Sequence, residues 1–284
     1  MRIVVTGGAG SLAGDILPGL AESGHEIWAV DHVPATEPST ACHGRGVLHR
    51  VTARIGDPRD QQGAAALAEA AEGAGVIIHL AGIPLEDEWE ELLQANISVT
   101  QTVLKLAAEA GVPRVVLASS IHAAGFTGIP EPGHLLPADI PQNPNTLYGS
   151  TKAAGEALAK YYVNHFGIEV LNVRICSRTS RPADPRMLST WLSPADAVRL
   201  FRAAVSAPLP EPFWTIWGVS ANSRGWFDPE AGEAIGFLAQ DDAEAYASEL
   251  LQGEGPTADA SHWERTIGGI FSSPEPPRMK GRNG

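Results

Sequence analysis

A tyrosine and a lysine stand four residues apart in the stretch LYGSTK, with only small side chains between Tyr148 and Lys152. Residues with this spacing share one face of a helix, so the phenol and the ammonium group can meet. An ammonium about 5 Å from a phenol favours the phenolate by about 3 kcal/mol, or about two pKa units. The pair therefore predicts a base that removes a hydroxyl proton; a core tyrosine beside a lysine that reaches solvent is the alternative.

A glycine-rich loop, TGGAGSLAGD, follows the first apolar run and precedes a helical pattern. Gly7 and Gly10 allow the backbone to approach a pyrophosphate at a helix N-terminus, and Ala13 takes the third position of the motif. Asp31 ends the second apolar run, where an acid binds ribose hydroxyls and repels the extra phosphate of NADP. Asp57, in GDPRD after an expected third strand, either contacts the adenine or is a turn aspartate. The loop predicts NAD as the cofactor, and a turn without a ligand is the alternative.

Short apolar runs alternate with helical patterns through the first two-thirds of the chain, as a parallel sheet with crossover helices requires. The runs expected to form buried strands are residues 2–6, 26–30, 75–80, 114–119 and 169–175. The helices, each ending near a glycine, are predicted over residues 11–23, 61–72, 89–109 and 147–165. We therefore predict an α/β fold: a Rossmann-type doubly wound parallel sheet whose NAD-binding core spans residues 1–176.

Proline and tryptophan become frequent after residue 176. We interpret residues 177–271 as a small C-terminal substrate lobe interleaved with the core, and residues 272–284 as a flexible tail. The tryptophans of the lobe either stack on a sugar ring or, as we favour, fill its core or a subunit contact. Those considered are Trp191, Trp214, Trp217 and Trp226.

The charge balance argues against several classes of partner. With 20 basic and 33 acidic residues, the chain has a formal net charge of −13, which disfavours nucleic acids and anionic membranes. We find no signal peptide or membrane-spanning run, so we expect no membrane association and a cytoplasmic location. Cys42 and Cys176 lack a metal-ligand motif; one disulfide is conceivable, but we favour reduced thiols and predict no metal site.

The glycine loop, the Tyr-x-x-x-Lys motif and the stretch RVVLASSIHAAG together resemble the extended branch of the short-chain dehydrogenase/reductase superfamily. By position in the motif, Ser120 rather than Ser119 matches its catalytic serine. The resemblance implies that Tyr148 is the base, that Lys152 lowers its pKa and holds the nicotinamide ribose, and that Ser120 orients the substrate hydroxyl. The other residues implied to contact the cofactor are Ser11, Leu12, Leu80, Ala81, Gly82 and Ile175.

Three segments of the second half, RMLSTWLSPADAV, WGVSANSRGWFD and IGFLAQDDAEAYA, are similar to segments of uronate dehydrogenases. Those enzymes oxidise glucuronate or galacturonate at C1 to the aldarolactone with NAD. The resemblance maps a carboxylate-binding arginine onto Arg186, whose planar guanidinium suits a carboxylate. It also implies that Ser177 and His122 line the substrate site, although His122 could be a structural hydrogen-bonding residue. We therefore expect a uronic acid substrate and a homo-oligomeric enzyme.

Two positions depart from the uronate dehydrogenase pattern: Ile121 replaces an asparagine and Pro84 replaces a serine. Both lose a polar group that could bind sugar hydroxyls, so the accepted sugar could differ. An aldose dehydrogenase and an epimerase that recycles bound NAD are alternatives with the same base, and an NAD-sensing regulator is a non-enzymatic alternative. For Arg178 and Arg181 we expect surface pairing with acids, which is also the alternative for Arg186.

Overall fold

A computed structural model describes residues 1–32, 40–43, 46–52, 61–252 and 265–278. The strands within these residues are β1 (Arg2–Thr6), β2 (Glu26–Asp31), β3 (Thr40–His43), β4 (Gly46–Thr52), β5 (Ala74–His79), β6 (Arg114–Ser120), β7 (Glu169–Ile175), β8 (Ser177–Arg178), β9 (Trp191–Leu192) and β10 (Phe213–Gly218). All except β8 and β9 join one sheet in the order β10-β7-β6-β5-β1-β2-β4-β3. Only the edge pair β3–β4 is antiparallel in this sheet.

The α-helices within the described residues are α1 (Ser11–Glu22), α2 (Gln61–Ala71), α3 (Trp89–Leu92), α4 (Val99–Glu109), α5 (Leu147–Phe166), α6 (Met187–Thr190), α7 (Pro194–Ser206), α8 (Glu230–Glu233) and α9 (Ala247–Leu250). Short 3₁₀ turns cover Ile121–Ala124, Ala243–Tyr246 and Gly269–Ser272. The long helix α5 ends at Gly167, whose φ of 70° is the left-handed conformation that glycine adopts without strain.

The central strands are apolar because helices cover both faces of the sheet. Successive strand residues point to opposite faces. On β1, Ile3 belongs to the apolar layer beneath α1 and α7, with Leu17 and Phe201, whereas Val4 belongs to the layer that includes Val103 of α4. The observed architecture confirms the predicted α/β, Rossmann-type doubly wound fold. The strand order reverses beside β1, and ligands of such sheets bind at the strand C-termini near this point.

The C-terminal third is interleaved with the sheet. Strand β10 pairs in parallel with β7, and α7 packs against α1. Strand β10 was not predicted, and the third strand expected before Asp57, which is β4, had no bounds assigned to it. The reason is local composition: β4 carries polar residues, as in GVLHRVT, and β10 is largely aromatic, FWTIWG.

The predicted helix over residues 89–109 is interrupted. A π-helical turn over Leu93–Ser98 separates α3 from α4. Inside this turn the buried Asn96 side chain accepts a hydrogen bond from Ile83 N at 2.7 Å and donates to Ile83 O at 3.1 Å. The π turn thus aims an amide at the loop after β5, a local irregularity that periodicity cannot predict.

Residues 265–278, here called the C-terminal segment, run across the C-terminal side of the sheet. Backbone hydrogen bonds join Ile267 to Thr127 and Gly268 to Gly125. Further along, Arg278 forms a β-bridge with Glu86. The predicted flexible tail, residues 272–284, therefore begins within the C-terminal segment, which contacts the rest of the protein as far as Arg278. Its flexibility remains a prediction.

Candidate active site

The glycine loop after β1 lies against the backbone that follows β5. Gly7 has a φ of 74°, and a Cβ there would lie 2.7 Å from Ala81 N. Only glycine permits this conformation and this approach. Gly10 precedes α1 without any side-chain cap, so the first-turn amides of α1, including those of Ser11 and Leu12, lack side-chain acceptors at the loop. This arrangement fits a pyrophosphate at a helix N-terminus.

Asp31 connects the loop to the end of β2. Its Oδ2 accepts a hydrogen bond from Ala9 N at 2.9 Å, and its Oδ1 lies 3.0 Å from His32 Nδ1. The carboxylate is therefore fixed beside the loop, where ribose hydroxyls of a dinucleotide would be bound. The remaining predicted contacts follow strand C-termini: Leu80, Ala81 and Gly82 after β5, and Ile175 at the end of β7. Asp57 lies outside the described residues.

The start of α5 is held by two side chains. Thr146 Oγ1 accepts a hydrogen bond from Gly149 N at 2.8 Å. The carboxylate of Glu86 accepts from Leu147 N at 3.2 Å and from Tyr148 N at 2.9 Å. Glu86 is 5% exposed. This buried cap fixes the backbone at Tyr148, and sequence reasoning missed it because the two partners are 62 residues apart.

Tyr148, Lys152 and Ser120 are brought together. Lys152 Nζ lies 5.7 Å from the centre of the Tyr148 ring and donates to Ala118 O at 2.9 Å. Ser120 caps the 3₁₀ turn by accepting from His122 N at 3.1 Å. Both Tyr148 and Ser120 are buried. The three predicted catalytic side chains therefore occupy one site at the C-terminal ends of β6 and the start of α5.

The pKa values in the protein alone differ from the sequence-based expectation. Burial raises the pKa of Tyr148 to about 12, although a hydrogen bond with Ser120 acts in the opposite direction. Burial lowers the pKa of Lys152 to about 8, so the lysine is mostly charged at neutral pH. The predicted lowering of the Tyr148 pKa is thus not found in the protein alone, because desolvation of the phenolate outweighs the hydrogen bond with Ser120.

Ser119 and Ser120 have different surroundings, as successive strand residues must. Ser119 Oγ donates to Glu156 Oε1 at 2.6 Å. Glu156 is itself held by Arg174, whose Nη2 lies 2.8 Å from Glu156 Oε2 in a salt bridge with almost no exposure. Ser119 is therefore part of a structural network beneath α5, and the geometry favours Ser120 as the serine facing the site.

Arg186 lies at the other end of the site. Its Nη1 donates to Ser177 Oγ at 3.1 Å, and its Nη2 donates to Ile267 O at 2.7 Å. Ser177 Oγ is also 2.8 Å from Thr190 Oγ1. Burial lowers the pKa of Arg186 from its ordinary value. Within the part of the chain that the structure describes, no carboxylate forms a salt bridge with this partly buried guanidinium, although the charge of the nearby Asp184 acts on it.

The other arginines of this region are paired with acids. Arg181 is exposed and pairs with Glu249 at 2.5 Å, as expected. Arg178 pairs with Asp15 of α1, but its side chain is only 14% exposed. The expected pairing of Arg178 with an acid is confirmed, and its side chain is partly exposed. Arg178 packs against α1 because β8 follows directly after β7.

His122 lies between Tyr148 and Arg186. Its ring centre is 6.0 Å from that of Tyr148 and 4.7 Å from that of Phe271. Its Nδ1 is 3.1 Å from Asn145 Oδ1. Burial and the nearby charge of Arg186 lower the pKa of His122 to about 4 despite the bond to Asn145, so the ring is neutral at neutral pH.

The two departures from the uronate dehydrogenase pattern have different surroundings. Ile121 is 2% exposed and belongs to an apolar cluster with Cys176 and Trp217, so it fills space in the core. Pro84 is exposed, next to the Ile83 backbone that Asn96 holds. Trp191 and Trp217 are buried, which agrees with the favoured packing role. Cys42 lies in β3.

No helix of the described residues is long and apolar enough to cross a membrane. The same residues contain no group of three or more histidine, cysteine, aspartate or glutamate side chains that could hold a metal ion. The absence of metal from the proposed chemistry stays a prediction.

Sequence comparison places this geometry among known proteins. The profile of the NAD dependent epimerase/dehydratase family matches residues 3–212. Uronate dehydrogenase of Agrobacterium fabrum strain C58 is 40% identical over 200 residues, covering 70% of this chain and 74% of that protein. Uronate dehydrogenase of Pseudomonas putida KT2440 is 30% identical and covers 91% of both chains. L-arabinose 1-dehydrogenase (NAD(P)(+)) of Haloferax volcanii is 32% identical, covering 85% of this chain and 97% of that one.

Solved structures give the same result over nearly the whole chain. A mutated uronate dehydrogenase superposes with a TM-score of 0.84 at 33% identity, covering 97% of this chain and 94% of that one. A point mutant of Agrobacterium tumefaciens uronate dehydrogenase in complex with NAD gives a TM-score of 0.80 at 34% identity, covering 95% and 96%.

Proposed function

Since the chain belongs to the NAD-dependent epimerase/dehydratase family, as an NAD-dependent dehydrogenase of the uronate dehydrogenase group, we propose that it oxidises a uronic acid of the glucuronate or galacturonate type. The reaction proposed is oxidation at C1 to the aldarolactone, with hydride transfer to NAD. The observation that carries the proposal is Arg186, a partly buried guanidinium that forms no salt bridge with a carboxylate of the described residues.

Partly burying an arginine without an anion in direct contact is unfavourable, because its charge loses hydration and gains only neutral hydrogen-bond partners. Arg186 is held by Ser177 and by the Ile267 carbonyl, which position two of its nitrogens. A substrate carboxylate would supply the missing charge and accept hydrogen bonds from the planar guanidinium. A neutral aldose has no such group. The site therefore favours an acidic sugar.

Each catalytic side chain has a definite task in this proposal. Bound NAD supplies the hydride acceptor and a positively charged ring. Tyr148 removes the proton from the C1 hydroxyl, and Ser120 hydrogen-bonds to the same hydroxyl. Because burial raises the pKa of Tyr148, the positive charge of Lys152 is needed to stabilise the phenolate. The buried cap from Glu86 keeps the Tyr148 backbone in place.

An aldose dehydrogenase is the second candidate. The observation that favours it is the similarity to L-arabinose 1-dehydrogenase, whose named substrate carries no carboxylate. An epimerase that recycles bound NAD is the third. All three functions use Tyr148 as the base. They differ in the substrate group that contacts Arg186 and in whether NADH is released.

A substrate panel separates the three functions. Purified protein is mixed with NAD and, in turn, glucuronate, galacturonate, glucose, galactose and arabinose, and NADH absorbance is followed. We expect NADH with the uronates and kcat/KM values at least about a hundredfold lower with neutral sugars, as loss of a charge-assisted, bidentate contact implies. Equal values for both classes would favour an aldose dehydrogenase, and conversion without free NADH an epimerase.

A further inference from the structure

A chain of hydrogen bonds links the C-terminal segment to His122. Ser272 Oγ accepts from Thr266 Oγ1 at 2.8 Å and from Asn145 Nδ2 at 3.0 Å. The same hydroxyl donates its proton to Gly125 O at 3.4 Å. A serine hydroxyl has one proton and two lone pairs, so these three bonds use its full capacity.

This chain fixes the orientation of the Asn145 amide. Because Ser272 gives its proton to Gly125, its contact with Asn145 must be made by the NH₂ group of the asparagine. The amide oxygen then faces His122 Nδ1 at 3.1 Å. A carbonyl oxygen only accepts, so Nδ1 carries the proton and Nε2 of the neutral ring carries a lone pair.

Two glycines enclose the amide and prevent it from moving away. A Cβ on Gly125 would lie 2.0 Å from Asn145 Oδ1, and a Cβ on Gly268 would lie 2.2 Å from Asn145 Nδ2. The backbone of both residues therefore lies directly against Asn145, which is itself buried. No side chain larger than glycine fits at either place without displacing the amide.

We propose that Asn145 is a positioning residue that holds His122 in the Nδ1–H tautomer, so that Nε2 accepts a hydrogen bond from a hydroxyl of the bound sugar. The inference rests on the proposed function for the identity of the ligand. Among the described residues Nε2 has no hydrogen-bond partner, whereas Nδ1 is fully used. Arg186 then binds the carboxylate of the sugar, and His122 accepts a hydrogen bond from one of its hydroxyls, so the two residues recognise different groups.

The charges around His122 keep it an acceptor. The charged or titratable side chains that the structure places against it are Arg186 and Tyr148. Neither is an anion at neutral pH: the guanidinium is positive, and burial keeps the phenol protonated in the protein alone. Phe271, on the third side, is apolar. The hydrogen bond to Asn145 favours the imidazolium, but Asn145 carries no negative charge, and burial and the charge of Arg186 outweigh it.

The tautomer is measured directly, without substrate, by nitrogen-15 NMR of the full protein labelled at histidine. His122→Asn identifies the His122 signals by their loss. We expect the wild type to show a protonated Nδ1 and an unprotonated Nε2 from pH 6 to 9. Protonation of Nε2 in this range would overturn the inference, whichever substrate the enzyme uses.

The variant Asn145→Asp tests the functional consequence. Its carboxylate still accepts from Nδ1 but favours the imidazolium, so it raises the pKa of His122. Below that pKa, Nε2 is a donor. The ratio of variant to wild-type kcat/KM for a uronate should approach one at high pH and fall about tenfold per pH unit below the raised pKa, mainly through KM. Taking the ratio cancels the ionisation of Tyr148, which both proteins share.

Asn143→Asp is the matched control, because it adds the same charge at an exposed position two residues earlier. The ratio of kcat/KM of Asn143→Asp to that of the wild type should not change with pH. A flat ratio for Asn145→Asp, or the same slope in both variants, would contradict the positioning role. If no uronate is oxidised while the NMR spectrum has the expected form, the proposed function fails and the tautomer assignment stands.

Discussion

Lys152 lies over the ring of Tyr148, with its Nζ 5.7 Å from the ring centre. Replacing Lys152 by methionine removes the positive charge that we propose stabilises the buried phenolate. Tyr148 must lose its proton to act as a base, so kcat/KM rises with pH until it ionises. In Lys152→Met this rise should move to higher pH by about two units, which lowers the rate at neutral pH about a hundredfold.

The control for this pH profile is Lys160→Met on the same helix. Lys160 Nζ lies 5.0 Å from the ring centre of Phe213, away from Tyr148. Its profile should match that of the wild type. An unchanged profile in Lys152→Met would show that the ammonium does not act on the tyrosine.

Tyr148→Phe should remove the base and leave the coenzyme site intact. The hydroxyl is the only group lost, and the glycine loop and Asp31 do not depend on it. We expect kcat to fall by about 10² to 10⁴. NADH fluorescence titration should give an affinity close to that of the wild type. Substantial turnover by this variant would refute the assigned base.

Arg186→Ala should impair binding of uronates far more than binding of neutral sugars. The lost guanidinium makes charge-assisted hydrogen bonds worth about 1.5–3 kcal/mol each, so KM for a uronate should rise by about 10²-fold. Arg181→Ala, which removes an exposed arginine of the same region, is the control and should leave KM unchanged. Equal losses for glucuronate and arabinose in Arg186→Ala would contradict the proposal that Arg186 binds the substrate carboxylate.

Glu86→Gln should destabilise the start of α5. A glutamine offers one acceptor where the carboxylate offers two, and its NH₂ group would face backbone N–H groups of Leu147 or Tyr148. We expect the free energy of unfolding to fall by about 1–2 kcal/mol, measured by urea denaturation. Glu88→Gln is the comparison, because Glu88 is exposed and pairs only with Arg278 in the described structure. Similar stability changes in both variants would argue against a specific cap.

The sequence was sufficient to predict those features of the fold and the site that depend on short stretches of chain. Three features of the site are local patterns: the glycine loop, the acid at the end of β2 and the spacing of Tyr148 and Lys152. The geometry of each is determined by residues close together in the sequence, so it can be predicted without knowing the tertiary structure. The alternation of apolar runs and helices likewise predicted the doubly wound sheet, which the structure confirms.

The missing parts of the site depend on contacts between distant residues. Glu86 reaches α5 from a loop 62 residues earlier, and Asn145 meets Ser272 across 127 residues. Nothing in the immediate neighbourhood of these residues marks them. The raised pKa of Tyr148 was missed for a related reason. Burial is a property of the folded molecule, whereas the pKa expected from the sequence considered only the charge of Lys152.

The C-terminal segment also sets the order in which the site can be assembled during translation. Residues 265–278 are synthesised after every strand of the main sheet, yet they provide the Ile267 carbonyl that holds Arg186 and the ring that contacts His122. A nascent chain can therefore form the glycine loop on the ribosome before the C-terminal contacts to Arg186 and His122 exist. Polypeptides released before this point would lack the contacts that hold Arg186 and His122 from the C-terminal side.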